Sequence, residues 1–270
     1  MFMSKGKIIV SMTSYPKRIT NVGKSIFLLL TRQSVVPDEI HLWLSIEEFP
    51  KLEDSLPVDL QAVLNHESVY LHWVKKNTYV HKRHEIFNIV DDADLVFFVD
   101  DDVRYSDNLI STVLKTHKRF PNCIICYNRY ALHRYRGRHI IYGKRVGDSY
   151  PQVNKVRWCG QSMIPAKLYP RVILGESYKS VRDRTSPISD ECWFQPWTVF
   201  YDIPIYHLNF GWGSNICKDI DHNRGLCVST HYTDRNGFER RDNWLHAVLE
   251  AFPDILDKYR RLFNYECDSH

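Results

Sequence analysis

One stretch constrains this chain more than any other: Asp94-Leu-Val-Phe-Phe-Val-Asp100-Asp101-Asp102-Val103. Leu95 to Val99 is an unbroken run of apolar residues rich in β-formers, the pattern of a strand buried on both faces in a parallel sheet. It runs straight into three carboxylates. In an open α/β sheet, ligands bind in the crevice beyond the carboxyl ends of the strands. Three negative charges there repel one another unless something positive sits between them. A divalent cation with hard oxygen ligands, Mg²⁺ or Mn²⁺, itself bridging phosphates, meets that need. Side chains alternate along a strand, so Asp100 and Asp102 are expected on one side and Asp101 on the other. The plainer alternative is a solvated turn, with Asp107 capping the next helix.

The residues before this stretch alternate between two periods. Lys7 to Met12 reads as a first strand, followed by the polar loop Thr13-Ser-Tyr-Pro16. Ile19, Val22, Ile26, Leu29 and Leu30 recur at helical spacing and predict a helix over 18–33. Pro37-Asp38 breaks it. Strands follow at Glu39–Ser45 and Val69–Val74, with a short helix at 59–65 between them and another at 82–90. Strands alternating with helices indicate βαβ units and a mostly parallel sheet. Right-handed crossovers then bring the loops at Thr13 and Asp100 to one edge.

Ser106 or Asp107 is expected to cap a helix ending near Lys118, with a strand over 122–127 behind it. From Arg129 to Arg157 the character changes: eight Lys or Arg against one acid, Asp148, and weak periodicity. This reads as a long loop or hairpin, whose charge suits a pyrophosphate, an anionic acceptor, a membrane surface or plain solvation. Val156 to Met163 reads as a strand, with Gly160 allowing close approach. Ser189 is an N-cap candidate for a helix opening on Asp190-Glu191-Cys192-Trp193. A strand at 202–207, a loop from Asn209 to His231, and helices over 236–252 and 253–263 complete the chain.

The 270 residues read as one domain, a nucleotide-type half at 1–105 and an elaborated half at 106–270. A hydrophobic content of 44% supports a real core. The net charge of +4 is too small to make nucleic acid the default partner. No apolar run reaches bilayer-spanning length, and the start lacks a signal-peptide pattern, so a cytoplasmic location is expected. Seven scattered cysteines fit reduced thiols. Cys123 and Cys126 enclose two isoleucines, a buried-strand pattern rather than a zinc site.

Taken in order, several pieces resemble the GT-A glycosyltransferases of the broad family-2 kind, particularly the bacterial group acting on surface polysaccharides. They are Ile9-Val-Ser-Met-Thr-Ser-Tyr-Pro-Lys-Arg-Ile19, Pro37-Asp-Glu-Ile40 before Leu42-Trp-Leu-Ser45, and Glu48-Phe-Pro50. His81-Lys82, Val99-Asp-Asp-Asp102 and Asp190-Glu-Cys-Trp193 follow. A lone D-x-D triplet is common; the ordered set over roughly the first 210 residues carries the resemblance.

The resemblance implies a Rossmann-like GT-A sheet flanked by helices, with the extra C-terminal helices appended. It implies an inverting transferase that uses a nucleotide-sugar donor, a UDP-sugar, with Mn²⁺ or Mg²⁺, and a hydroxyl of a glycan or lipid-linked glycan as acceptor. Work at the inner face of a membrane would suit such an acceptor. Thr13, Tyr15 and Arg18 correspond to base and ribose contacts, and His81 and Lys82 to positions beside the nucleotide or its phosphates. Asp100 and Asp101 fall on the donor, Asp102 and Asp100 on the metal, and Asp190, with Glu191 as alternate, on the catalytic base. His222 or His231 could supply a third metal ligand, or be ordinary loop histidines. Trp158, Trp193 and Trp212 could offer faces to sugar rings or pack in the core.

The chemistry is consistent with these residue types. A metal held by carboxylates neutralises the leaving diphosphate. A positioned carboxylate contributes roughly 10²- to 10⁴-fold as general base. Three rivals stand beside this reading. A nucleotidyltransferase would want a Gly-rich phosphate loop, and Thr13–Pro16 has no Gly. A non-catalytic carbohydrate-binding protein would not need both acidic sites. A nucleic-acid binder would have only the basic 129–157 segment to offer.

Overall fold

The computed structural model describes residues 6–127, 135–136, 139–140, 161–208, 217–219 and 235–264. Its centre is a seven-stranded sheet, in the order Ile205–His207, Ile124–Cys126, Ser162–Pro165, Leu95–Phe98, Ile8–Thr13, Glu39–Ser45, Val69–Val74. The front strands are β1 (Ile8–Thr13), β2 (Glu39–Ser45), β3 (Val69–Val74) and β4 (Leu95–Phe98). The back strands are β6 (Ile124–Cys126), β9 (Ser162–Pro165) and β10 (Ile205–His207). All neighbours are parallel except β9, which runs antiparallel to both β4 and β6. The fold is therefore α/β with a mostly parallel sheet, as the alternating periods predict.

The strand residues are apolar in both alternating registers because both sheet faces are covered. Val10, Met12, Ile40, Leu42 and Phe97 point into one core, beneath α1 (Ile19–Arg32), α2 (Val58–Leu64) and α3 (Leu109–Arg119). Ile9, Trp43, Val96, Phe98 and Ile124 point into the other, with Phe87, Trp193 and Phe194. Helices α5 (Asp190–Phe200), α6 (Arg235–Ala251) and α7 (Pro253–Phe263) close that side. Leu245, Val248, Leu249, Ile255, Leu256 and Tyr259 are all buried there, so the C-terminal helices belong to the core rather than decorating it. Phe87 and Tyr169 stack at 3.7 Å between ring centres, and Tyr169 stacks in turn on Phe194 at 5.1 Å. Each such aromatic pair adds roughly 0.5–1.5 kcal/mol beyond its burial.

Helix α1 buries Ile19, Val22, Ile26 and Leu29 along one stripe, as their spacing predicts. Gly23 lies in that stripe because a Cβ there would fall 2.9 Å from the Leu60 backbone nitrogen of α2. The two helices approach as closely as they do only across a glycine.

Several expectations need correction. Helix α3 starts at Leu109 with Asn108 at its cap position and no side-chain capping bond, so neither Ser106 nor Asp107 caps it. Asp107 instead accepts from Arg32 at 3.2 Å, and the Ser106 carbonyl accepts from the Gln33 amide at 2.7 Å. The helix expected over 82–90 is a 3₁₀ helix, Tyr79–Asn88. The strand expected over 156–163 is observed at Ser162–Pro165; 156–160 lie outside the described residues. Strand β5 (Val103–Tyr105) and helix α4 (Glu176–Thr185) had no clear periodic signal. Strand β5 pairs antiparallel with β11 (Cys217–Asp219), and β7 (Tyr135–Arg136) with β8 (His139–Ile140). Cys123, Cys126 and Cys192 are buried. No helix of the described residues is long and apolar enough to cross a membrane.

Candidate active site

Strands β1 and β4 lie side by side and parallel, with Ser11 opposite Phe98, so their C-terminal loops share one edge. Strand β9 runs the other way, which sets Ser162 opposite Phe98 and delivers Gln161 to the same edge. Three loops from three regions of sequence therefore converge beside Asp100.

The acidic triplet does not continue the strand. β4 ends at Phe98, and Asp101 and Asp102 form a turn. The expected alternation fails for that reason: Asp101 and Asp102 share one partner, and Asp100 has others. Arg18 donates to both Asp101 and Asp102, the latter at 2.8 Å. Ser14 also donates to Asp101, and the Ser25 hydroxyl of α1 donates to the Asp101 carbonyl at 3.1 Å. Asp101 is fully buried. It anchors the turn and offers nothing outward, which removes it from the expected donor contacts.

Asp100 is held from both sides. Arg83 Nη1 donates to its Oδ1 at 2.9 Å, and Gln161 Nε2 to its Oδ2 at 2.7 Å. Its backbone N–H donates to the Tyr105 hydroxyl at 2.8 Å. Its side chain is 32% exposed, the most open of the triplet, against 13% for Asp102.

Arg83 carries the arrangement into the second acidic element. The Arg83 Nε and Nη2 groups both donate to Asp190 Oδ2, the former at 3.0 Å. His84 Nε2 lies 3.4 Å from the same oxygen and its Nδ1 lies 3.0 Å from the Tyr169 hydroxyl. Burial alone would push the Asp190 carboxyl up. The Arg83 guanidinium and the His84 hydrogen bond outweigh it and hold the carboxyl well below the usual range. Burial also lowers His84, so this imidazole is neutral at pH 7. Asp190 sits at the start of α5, where Ser189 accepts from the Cys192 N–H at 3.3 Å; that cap was predicted. The adjacent Glu191 accepts from Arg241 of α6 at 2.6 Å, with 26% of its side chain exposed.

His81 and Lys82 do not present themselves to a ligand. His81 is buried; its Nε2–H donates to the Ser186 carbonyl at 2.8 Å, leaving Nδ1 deprotonated and without a partner. Burial pushes its pKa down to about 3. Lys82, also buried, spends its ammonium on Glu48 at 2.7 Å and Asn77 at 3.1 Å. Burial lowers its pKa, though the Glu48 pairing opposes that. Both tie loops together instead of facing a diphosphate. Thr13 spends its hydroxyl on the Trp43 carbonyl of β2 at 2.8 Å. Tyr15 lies beside Arg18, 5.6 Å from guanidinium carbon to ring centre. Trp193 is a core residue, 2% exposed. His222, His231, Trp158 and Trp212 lie outside the described residues, as does most of 129–157.

Sequence reasoning missed Arg83 and Gln161. The signal for Arg83 was the demand for positive charge beside three carboxylates: it follows His81-Lys82 directly, and it answers that demand together with Arg18. Gln161 carried no signal, since only the reversed strand β9 brings it here.

The donor set suits a divalent ion only in combination with a ligand. No three His, Cys, Asp or Glu side chains gather as a ready-made set among the described residues. Among the described residues Arg18 pairs with Asp101 and Asp102, and Arg83 with Asp100 and Asp190. Mg²⁺-type sites commonly use one or two carboxylates with substrate phosphates completing the shell. Asp102 and the partly open Asp100 fit that role.

No family model matches the sequence, and no curated protein does. Among solved structures, S. aureus TarS 1–349 in complex with UDP is similar at 11% identity and a TM-score of 0.44. That match covers 75% of this chain and 57% of the other, so the chain spans little more than half its length. A second structure of S. aureus TarS 1–349 is similar at 10% identity and a TM-score of 0.44, covering 94% of this chain and 72% of that one.

Proposed function

We propose that the chain is a nucleotide-sugar-dependent glycosyltransferase of the GT-A type, with a UDP-sugar as donor and a glycan or lipid-linked glycan hydroxyl as acceptor. One observation carries the reading: both acidic elements quoted in the resemblance meet at a single sheet edge, joined through Arg83. A decayed binding protein has no reason to keep that junction at the ligand-binding edge of an α/β sheet.

The donor nucleotide would lie along the loops after β1 and β4, against Tyr15 and Arg18. Asp102 and Asp100 would hold Mn²⁺ or Mg²⁺ together with the diphosphate, and the ion would supply charge neutralisation to the departing UDP. Glu191 is the better proton acceptor for the attacking hydroxyl. Its side chain is 26% exposed while paired with Arg241, whereas the Asp190 side chain is 7% exposed and held by Arg83. Transfer by direct displacement would invert the sugar carbon.

The test is calorimetric titration with UDP, GDP and CDP, first with Mn²⁺ and then with EDTA. UDP binding that disappears with EDTA is expected. Preference for another diphosphate would move the donor, and absence of binding to all three would overturn the transferase reading.

A further inference from the structure

We propose that Asp190 is a positioning residue: it fixes Arg83, and Arg83 in turn fixes Asp100 for the donor. The inference rests on the glycosyltransferase reading and assigns within it a role to two residues.

The geometry leaves Asp190 little else to do. One of its oxygens receives two N–H groups of Arg83 and faces His84 Nε2 as well. The residue is 5% exposed, so a bulky acceptor hydroxyl has no approach to it. Arg83 is likewise 4% exposed and lies 4.9 Å from the centre of the Phe98 ring, on the apolar floor of the sheet. A guanidinium in such surroundings is tolerated only while its carboxylate partners are present. Its planar fork directs Nε and Nη2 to Asp190 and leaves Nη1 for Asp100. Removing Asp190 frees two arms of the fork, and the third no longer has a fixed direction. Asp100 would then be steered by Gln161 alone. Asp190 thus acts at a distance on the donor side, while Glu191, the next residue, is the proposed proton acceptor.

A proton acceptor and a positioning residue differ in what their loss does to donor binding. The probe is UDP with Mn²⁺, titrated calorimetrically into the full chain and into Asp190→Asn, Arg83→Met, the double variant and Glu191→Gln. Loss of one charge-assisted contact is worth about tenfold or more in affinity. The expectation is a loss of that size in Asp190→Asn and in Arg83→Met, and no further loss in the double variant, because both act through one contact. Glu191→Gln is expected to keep the native UDP affinity.

Native UDP affinity in Asp190→Asn overturns the proposal and returns Asp190 to the role of base. Should that variant fail to fold with Arg83 left buried and unanswered, the double variant decides. It removes both charges together, a change buried pairs often tolerate, and native affinity in it also overturns the proposal. If the native chain binds no UDP, the transferase reading fails, and this inference fails with it.

Discussion

The Ser11 hydroxyl on β1 donates to the backbone carbonyl of Arg83 at 2.8 Å, joining residues 72 positions apart. Ser11 is fully buried, beside the point where β1 and β4 end together. The bond holds the 3₁₀ helix that carries His81, Lys82, Arg83 and His84 against the sheet. Ser11→Ala is expected to cost about 1 kcal/mol, the net value of one such bond. The urea midpoint should fall with the slope unchanged. An unchanged midpoint would mean that the helix is held by its other contacts.

Asp102→Asn should remove metal-dependent UDP binding. Its carboxylate is one of two on which the proposed ion depends. Titration of the variant with UDP and Mn²⁺ should resemble titration of the native chain with EDTA. Native binding in the variant would strike Asp102 from the metal ligands.

Glu191→Gln should cut turnover about 10²-fold or more while leaving UDP affinity near native, the pattern of a lost general base. The measurement is UDP release with whichever UDP-sugar and acceptor the native chain uses. A drop in UDP affinity of the same size would show that the Glu191–Arg241 pair supports the site structurally instead.

The buried imidazole of His81 makes stability depend on pH. Its folded pKa is pushed down to about 3, below the ordinary 6.5, so between those values the unfolded chain takes up a proton that the native chain does not. Stability must therefore fall as pH drops from about 6.5 towards 3, by about 1.4 kcal/mol per pH unit for each such group. His84 and His72 are shifted in the same direction by burial and add to the slope. His81→Gln keeps a polar side chain without the titrating ring, so urea midpoints measured from pH 7 to pH 5 should decline less steeply in the variant. Parallel curves for the two chains would contradict the assignment.

What could be read from sequence follows the range of the forces involved. Strands β2 and β3 fall at the predicted residues because their apolar runs are bounded by Pro37-Asp38 and by the polar residues around His66. The Ser189 cap was legible because a cap is chemistry within one helical turn. The same reasoning misfired at Asp107, which found a longer-range partner in Arg32. The acidic triplet was visible; its pairing with Arg18 was not, since Arg18 reaches Asp101 across 83 positions. The resemblance put His81 and Lys82 beside the nucleotide or its phosphates. The sequence could not reveal that they point inward, because that depends on Ser186 and Glu48, which only the finished fold brings near.

The reversed strand β9 also governs the order in which the molecule can be assembled. The four front strands are complete once residue 98 has been made, and each has a neighbour within that group. Strand β6 follows at 124–126 with none: its two partners, β9 and β10, begin at 162 and 205. Ile124, Ile125 and Cys126, all fully buried in the native sheet, therefore lack both strand neighbours until at least 36 more residues have been added to reach β9. At roughly 5–20 residues per second that interval lasts seconds, with an apolar strand edge open to other chains. Slowed synthesis between 127 and 162 should lower the yield of native protein more than the same delay placed after 207.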